Sequence, residues 1–304
     1  MHQTRCETTE IIQSGCDLPS AYLTLAYCDF YTYEIRSALI SLQHAEKESG
    51  RDLAQLSFVQ SGIGSCFTNL CEFPNALKHL RQGLEIAERL GDDSRASRIL
   101  SNLTLVFTAV GQYDDAIRMG CRSIELGKRN INQPELVTAY VNVSDAYLLR
   151  GDRARASECL EKAKEWLATH EDWYMTVIFL FENASTALAT GNVPLALSVK
   201  QEIDRMTGGF EQLHVQGGLA AKLDVVRAFH NQGPETAWKV ALDRKTFFES
   251  RVPYYYLDAL AAYAWIEKIN TGGYSRKTIE ELEAFETWGA TGKRALLQAQ
   301  GFLV

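Results

Sequence analysis

The chain has 304 residues, of which 46% are hydrophobic and 23% are charged, and its formal net charge is −7. This composition is typical of a folded protein with a substantial core and excludes an intrinsically disordered chain. An acidic protein lacks the electrostatic footprint of a nucleic-acid-binding domain, so we predict no direct binding of DNA or RNA.

Sequence features that report on the compartment point to the cytoplasm. The N-terminus carries no signal-peptide pattern, and the strongest apolar run, residues 174–181, is far too short to span a bilayer. The seven cysteines are odd in number and irregularly spaced, which predicts free thiols in a reducing compartment. We therefore predict a cytoplasmic protein that does not contact a membrane.

The predicted secondary structure is a series of helix pairs. In residues 98–110 the apolar positions recur at spacings of three and four, the period of a helix with one buried face. The first helices of seven successive pairs are predicted at 19–31, 56–70, 95–110, 135–150, 174–190, 213–231 and 254–270. The second helices are predicted at 34–49, 74–90, 114–129, 154–169, 194–207, 235–250 and 275–288.

The ends of the chain fall outside this regular pattern. Residues 1–18 are predicted to be an N-terminal extension, and residues 19–290 the repeat array. Residues 291–304 are predicted to form a capping helix and tail that cover the open end of the stack, as arrays of helix pairs need.

A fixed period connects the turns inside these pairs. Gly111, Gly151 and Gly191 are 40 residues apart, and Cys71 takes the same place one period earlier. An alanine follows each of these four residues by five positions. We predict that the glycines end the first helix of each pair in a left-handed conformation. The six prolines all fall near predicted helix starts, where the missing N–H removes no helical hydrogen bond.

The units resemble tetratricopeptide repeats. In that family the first helix carries a large, a small and an aromatic residue, and the second helix carries a small residue. Leu103, Thr104, Phe107 and Ala116 occupy these places in the third unit. The usual repeat has 34 residues. A repeat of about 40 residues is similar to the long variants in kinesin light chains, polarity adaptors and bacterial peptide- or effector-responsive regulators. The resemblance implies an all-α, right-handed α-solenoid of about seven antiparallel helix pairs.

Patterns that resemble catalytic or metal motifs are better explained by packing. Residues 62–66 contain Gly-x-Gly, but no strand precedes them, so we assign Gly64 to a close helix crossing. Residues 289–294 lack the glycine spacing of a phosphate loop and the Ser/Thr after Lys293. No two of the six histidines share the i, i+4 spacing of a helical zinc site. We predict no metal, no other cofactor, no catalytic residues and no enzymatic activity.

The candidate binding surface is the concave groove that the first helices of a curved helix-pair array line. Asn102 and Asn142 occupy the same place one period apart. The resemblance implies that asparagines here hydrogen-bond the backbone of an extended peptide, because an amide both donates and accepts. The alternative, given equal weight, is that each asparagine joins neighbouring helices. The other candidate groove residues are Ser65, Arg98, Ser101, Asp145, Glu182, Ser185 and Arg227.

Two functions compete at this point. The first is a non-catalytic protein- or peptide-binding scaffold or adaptor, whose groove engages an extended peptide or a helix of a partner. The alternative is a regulatory or sensory segment of a larger bacterial signalling protein, a transcription regulator or nucleotide cyclase, with its output domain outside this chain. Alanine-rich, apolar outer faces near the ends leave homo-oligomerisation open.

Overall fold

The computed structural model describes residues 18–50, 52–129, 134–208 and 217–303, together with Thr4 and Thr8. Within these residues the regular secondary structure is entirely helical. The helices are α1 (Leu18–Tyr31), α2 (Ile35–Glu48), α3 (Leu53–Asn69), α4 (Phe73–Leu90), α5 (Asp93–Ala109), α6 (Tyr113–Lys128), α7 (Glu135–Arg150), α8 (Arg153–Thr169), α9 (Trp173–Ala189), α10 (Val193–Thr207), α11 (Gly217–Gln232), α12 (Pro234–Glu249), α13 (Pro253–Thr271), α14 (Arg276–Leu282), α15 (Ala284–Thr287) and α16 (Thr291–Ala299).

Consecutive helices pack in pairs, and the pairs stack, which confirms the predicted α-solenoid. The second helix of the seventh pair, predicted as one helix over 275–288, is divided into α14 and α15. At this break the Glu283 N–H bonds to the carbonyl of Glu280, only three residues back, and Phe285 beyond it is fully buried. The predicted residues 213–216 of the sixth pair lie outside the described residues, as does most of the predicted extension over 1–18.

The turn inside the second to fifth pairs has one geometry. Gly111, Gly151 and Gly191 have φ angles of +79°, +92° and +77°, as predicted for left-handed helix ends. Cys71, at the same place in the second pair, has a φ of +59°. The residue after each of the four donates its N–H to the carbonyl five residues earlier, at 2.8 to 2.9 Å. This bond closes the helix end and sets the direction of the next helix.

Small residues allow the two helices of a pair to approach closely. Ala76, Ala116, Ala156 and Ala196, which follow the four turns, are all buried. Gly64 lies where α3 crosses α4, and a Cβ placed on it would come within 2.6 Å of Leu80 Cγ. Packing therefore explains the Gly-x-Gly pattern.

The array curves until its two ends meet. Tyr33, in the turn between α1 and α2, packs edge-on against three aromatic rings of the sixth and seventh pairs. Its ring centroid lies 5.7 Å from Phe247, 5.6 Å from Phe248 and 6.3 Å from Tyr255. In addition, α3 contacts α13. The first helices of the pairs thus surround the concave groove.

The C-terminal helix lies inside this curve. α16 contacts α5, α7 and α9, the first helices of the third, fourth and fifth pairs. This corrects the expectation that residues 291–304 cover the open end of the stack. Lys293 of α16 forms an ion pair with the buried carboxylate of Asp258 on the concave wall. The side chain of Leu297 is fully buried and packs in the core.

Two further features of the described residues are the apolar length of the helices and the state of the cysteines. No helix among them is long and apolar enough to cross a lipid bilayer. Five cysteines, Cys28, Cys66, Cys71, Cys121 and Cys159, are free thiols, whereas Cys6 and Cys16 lie outside the described residues.

Candidate functional site

The concave groove holds residues 291–303, here called the C-terminal segment. At its start, Thr291 Oγ1 donates a hydrogen bond to the carbonyl of Val110 at 3.0 Å. The backbone of Gly292 passes so close to α5 that a Cβ there would lie 1.8 Å from the carbonyl oxygen of Thr108. Only glycine permits this approach, so the segment is fixed at one edge of the groove by backbone contact.

The middle of the segment is held by charge and burial. Lys293 Nζ lies 2.6 Å from Asp258 Oδ2 on α13 and 3.5 Å from the ring centroid of Tyr254. A lysine over an aromatic face gains a cation–π attraction in addition to its ion pair. One helical turn later, Leu297 is fully buried.

The end of the segment crosses to the fifth, sixth and seventh pairs. Gln300 Nε2 donates to Ser185 Oγ at 2.7 Å, and Gln300 Oε1 accepts from Lys222 Nζ at 2.7 Å. The ring of Phe302 packs edge-on against Trp265, with centroids 5.7 Å apart. The segment therefore makes specific contacts along its whole length.

Five ionisable side chains form a buried charge cluster: Asp145, Glu182, Lys222, Asp258 and Lys293. Lys222 is 2% exposed, and its Nζ lies 2.9 Å from Asp258 Oδ1. Asp258 thus pairs with a different ammonium through each carboxylate oxygen. Burial acts to raise the pKa of Asp258, but Lys222 and Lys293 outweigh it and hold that pKa below its usual value. Burial lowers the pKa of Lys222, and Asp258 opposes this.

Asp145 and Glu182 form the other half of the cluster, where their carboxyl groups lie close enough to influence each other's ionisation. Burial raises the pKa of Glu182 well above its usual value, and the neighbouring Asp145 raises it further. Burial raises the pKa of Asp145 as well, and the nearby Lys222 and Lys293 act against this. The pair therefore holds a proton to higher pH than exposed carboxyl groups do.

Among the predicted groove residues, Ser185 hydrogen-bonds to the C-terminal segment, while Asp145 and Glu182 belong to the buried charge cluster beside it. Four others form a ladder between first helices. Asn142 Nδ2 donates to the carbonyl and hydroxyl oxygens of Ser101, at 3.1 and 3.0 Å. Asn102 Nδ2 donates to Ser65 Oγ at 3.3 Å. Both amides thus contact the preceding first helix, which is the geometry of the alternative interpretation.

The two predicted arginines lie apart from the segment. The Arg98 guanidinium lies 5.3 Å from the ring centroid of Phe58. Arg227 pairs with Asp204 at 2.6 Å and with Asp224 at 3.1 Å. It lines a separate cavity of about 650 Å³ between α10, α11, α12 and the turn after α1.

Four residues that fix the segment in the groove were absent from the predicted site. Lys222 and Asp258 belong to the groove wall, and Lys293 and Gln300 belong to the segment itself. Two of them carry a signal in the sequence. Lys222 and Asp258 are charged residues inside otherwise apolar stretches, residues 217–223 and 254–265. A charge placed on the apolar face of a helix indicates a buried partner, because an unpaired buried charge is strongly unfavourable.

The described residues also bear on catalysis. Burial raises the pKa of Cys66, Cys71 and Cys159 to about 12, so these thiols stay protonated and are poor nucleophiles. Among the described residues, no group of three or more His, Cys, Asp or Glu side chains could hold a metal ion.

Known proteins match both the sequence and the fold. The family model of the tetratricopeptide repeat matches residues 55–129. Outer dynein arm-docking complex subunit 4 of Xenopus laevis is 24% identical over 217 residues. That match covers 68% of this chain and 36% of the relative. This chain thus spans only about a third of the relative's length.

Two solved structures of Rap proteins share the architecture over most of the chain. A Rap protein complexed with Competence and Sporulation Factor superposes with a TM-score of 0.70 at 16% identity, covering 96% of this chain and 80% of its own. A Rap conjugation gene regulator of a plasmid, in complex with a Phr peptide, gives a TM-score of 0.69 at 14% identity. It covers 93% of this chain and 77% of its own. The matched repeats, the 40-residue period and the stacked helix pairs together support a tetratricopeptide-type repeat fold for this chain.

Proposed function

We propose that this chain is a non-catalytic scaffold that binds a short segment of a partner protein in its concave groove. The observation that carries the proposal is the C-terminal segment, which lies against the first helices of three successive pairs. A groove that accommodates one amphipathic segment has the width and the side chains to accommodate another of similar chemistry.

The relatives support the same class of function. Repeat arrays present extended concave surfaces for binding. The two Rap structures that share this fold are complexes, one with Competence and Sporulation Factor and one with a Phr peptide. At 16% and 14% identity they share the fold alone, so the class of ligand, a peptide, is what we carry over as a proposal.

Asn102 and Asn142 remain proposed contacts of the partner's main chain. To serve this role, each amide would exchange its hydrogen bond with Ser65 or Ser101 for one with the partner. Because such an exchange replaces one neutral hydrogen bond with another, it is nearly balanced in free energy.

The experiment selects ligands without assuming a partner. The full chain is immobilised and screened with a phage-displayed library of random peptides, and selected peptides are then titrated by calorimetry. We expect hydrogen exchange with bound peptide to slow in α5, α7 and α9. Protection that maps only to the second helices of the pairs would contradict the proposal.

A double variant separates the two interpretations of the asparagines. If they bind the peptide backbone, Asn102→Ala/Asn142→Ala weakens peptide binding by about thirtyfold, since the two main-chain groups of the peptide that they contact would be left unpaired, at about 1 kcal/mol each. Lys162→Ala is the control, because Lys162 lies on α8 and pairs only with the exposed Glu165 among the described residues. Unchanged peptide affinity in the double variant would assign both asparagines to helix packing alone.

A further inference from the structure

The buried charge cluster depends on the C-terminal segment for its balance. Asp258 accepts from Lys222 at 2.9 Å through one oxygen and from Lys293 at 2.6 Å through the other. Lys293 is the only member of the cluster on the C-terminal segment. Withdrawal of the segment removes the ammonium that pairs with Asp258 Oδ2 and leaves Asp258 with Lys222 alone.

Breaking a buried ion pair by removing one partner is strongly unfavourable, so the groove favours any occupant that restores a cation at this point. The surroundings are built for an ammonium. The ring of Tyr254 lies 3.5 Å from Lys293 Nζ, and the side chain of Asp145 keeps one oxygen, Oδ1, without a hydrogen-bond donor among the described residues. The occupant of the groove must therefore carry a lysine or arginine opposite Asp258.

Other positions of the segment define a register around that cation. Lys293, Leu297 and Gln300 are spaced i, i+4 and i+7 and are all buried, so they line one face of α16 and of the residue that caps its end. The residue before Lys293 must be glycine because of its contact with the carbonyl of Thr108. Phe302 is also buried, with Lys222 Nζ 5.8 Å from its ring centroid.

We propose that the C-terminal segment is an internal ligand of the groove, and that the partner presents the same pattern of side chains. That pattern is a glycine followed at once by a lysine, a leucine four residues later, a glutamine three residues further and a phenylalanine two residues beyond. This inference rests on the proposed function, since it names the chemistry of the partner and how its access is regulated.

An internal ligand competes with an external one at high effective concentration, because it is tethered to the site. The partner then binds only the fraction of molecules whose groove is open, and its apparent affinity is reduced by that fraction. Weakening the internal segment therefore strengthens the binding of an external one.

The test uses a fluorescent peptide with the sequence of residues 291–303, titrated by anisotropy against the full chain. In the variant Lys293→Glu, a carboxylate faces Asp258 and the internal segment is expelled. We expect the peptide to bind this variant at least about tenfold more tightly than the wild type. Hydrogen exchange in residues 291–303 is expected to quicken in the same variant.

The matched control is Arg294→Glu, the same change of charge one residue along the helix. Arg294 pairs with Glu286 at the surface, at 2.6 Å, with 38% of its side chain exposed. We expect this variant to bind the peptide as weakly as the wild type. A peptide in which glutamate replaces the lysine equivalent to Lys293 is expected not to bind Lys293→Glu.

A second variant keeps the test decisive if Lys293→Glu unfolds, which circular dichroism would reveal. Phe302→Ala removes the contact with Trp265 at the end of the segment and introduces no charge. It is also expected to increase peptide affinity by about tenfold. Equal peptide binding by the wild type and a folded loosening variant, or no binding by either, overturns the internal-ligand proposal.

The failure of this inference is distinct from the failure of the proposed function. If library-selected peptides protect α5, α7 and α9 but lack the lysine pattern, the groove is a binding site and the internal-ligand proposal is wrong. If no peptide protects these helices even in Phe302→Ala, the scaffold function fails as well.

Discussion

At the scale of single residues, Glu182 shows how the groove wall uses protonation. Its carboxyl group is buried beside Asp145, and both the burial and the neighbouring carboxyl raise the pKa of Glu182. A folded pKa above the usual 4.5 means that protonated Glu182 stabilises the fold below pH 4.5 relative to higher pH. This contribution is lost as the pH rises from the unfolded pKa through the folded pKa.

The variant Glu182→Gln should therefore be more stable than the wild type at neutral pH. Glutamine keeps a donor for Asp145 and has no proton to lose. We expect little difference near pH 4 and a gain that grows with pH by at most about 1.4 kcal/mol per unit until the folded pKa is reached. Urea unfolding between pH 4 and pH 8 measures it, with Glu165→Gln on the 64% exposed Glu165 as control. A difference that does not change with pH would show that Glu182 is ionised in the fold.

Gly64 tests the close crossing of helices in a single pair. An alanine Cβ at this position would lie 2.6 Å from Leu80 Cγ and 3.3 Å from the carbonyl oxygen of Ala76. We expect Gly64→Ala to lower the free energy of unfolding by about 1–3 kcal/mol, although alanine's higher helix propensity offsets part of this. Gly273→Ala, where a Cβ meets open space, should change stability by no more than about 0.5 kcal/mol. Equal unfolding midpoints for the two variants would contradict this assignment.

At the scale of elements, the inter-helix turn has two roles that one pair of variants can separate. Gly111 and Gly151 have similar left-handed backbones, with φ of +79° and +92°. A Cβ on Gly151 meets nothing within 4 Å, whereas a Cβ on Gly111 lies 3.1 Å from Thr291 Oγ1 and 3.6 Å from the backbone nitrogen of Gly292. Of these two turns, the one at Gly111 contacts the C-terminal segment and the one at Gly151 does not.

We expect Gly111→Ala and Gly151→Ala to be destabilised by about 1–2 kcal/mol each, from backbone strain alone. Gly111→Ala should also speed hydrogen exchange in residues 291–303, because the new methyl group presses on the start of the segment. Gly151→Ala should leave exchange there unchanged. If both variants loosen the segment equally, the effect is global destabilisation and the contact at Gly111 is not specific.

The helix pairs were predictable from the sequence, while the position of the last helix was not. Period and turn chemistry are local: Gly111 and Ala116 act within a few residues, and their recurrence every 40 residues is visible in the chain. The position of α16 depends on contacts that join distant parts of the sequence, such as Thr291 with Val110 and Lys293 with Asp258. Contacts between such distant parts of the chain leave no periodic signal in the sequence. For this reason Lys222 and Asp258 of the groove wall and Gln300 of the segment were absent from the predicted site.

At the scale of the whole molecule, the curvature of the array and the position of the C-terminal segment depend on each other. The segment contacts first helices from the third to the fifth pair and reaches the seventh through Asp258 and Trp265. These helices face one another across the groove because the first pair meets the sixth and seventh through Tyr33. A repeat array in which each pair touched only its neighbours would have no such closure.

Removing the closing contact should therefore open the molecule. Tyr33→Ala deletes a buried ring that packs on Phe247, Phe248 and Tyr255, and we expect it to lower stability by about 3–5 kcal/mol and to increase the radius of gyration in small-angle X-ray scattering. Tyr140→Ala is the control, since Tyr140 is a buried ring of α7, within the array, and its loss should reduce stability without separating the ends. Because the closed curve holds the walls of the groove together, Tyr33→Ala should also speed hydrogen exchange in residues 291–303. An unchanged radius of gyration in folded Tyr33→Ala would mean that stacking of neighbouring pairs alone sets the curvature.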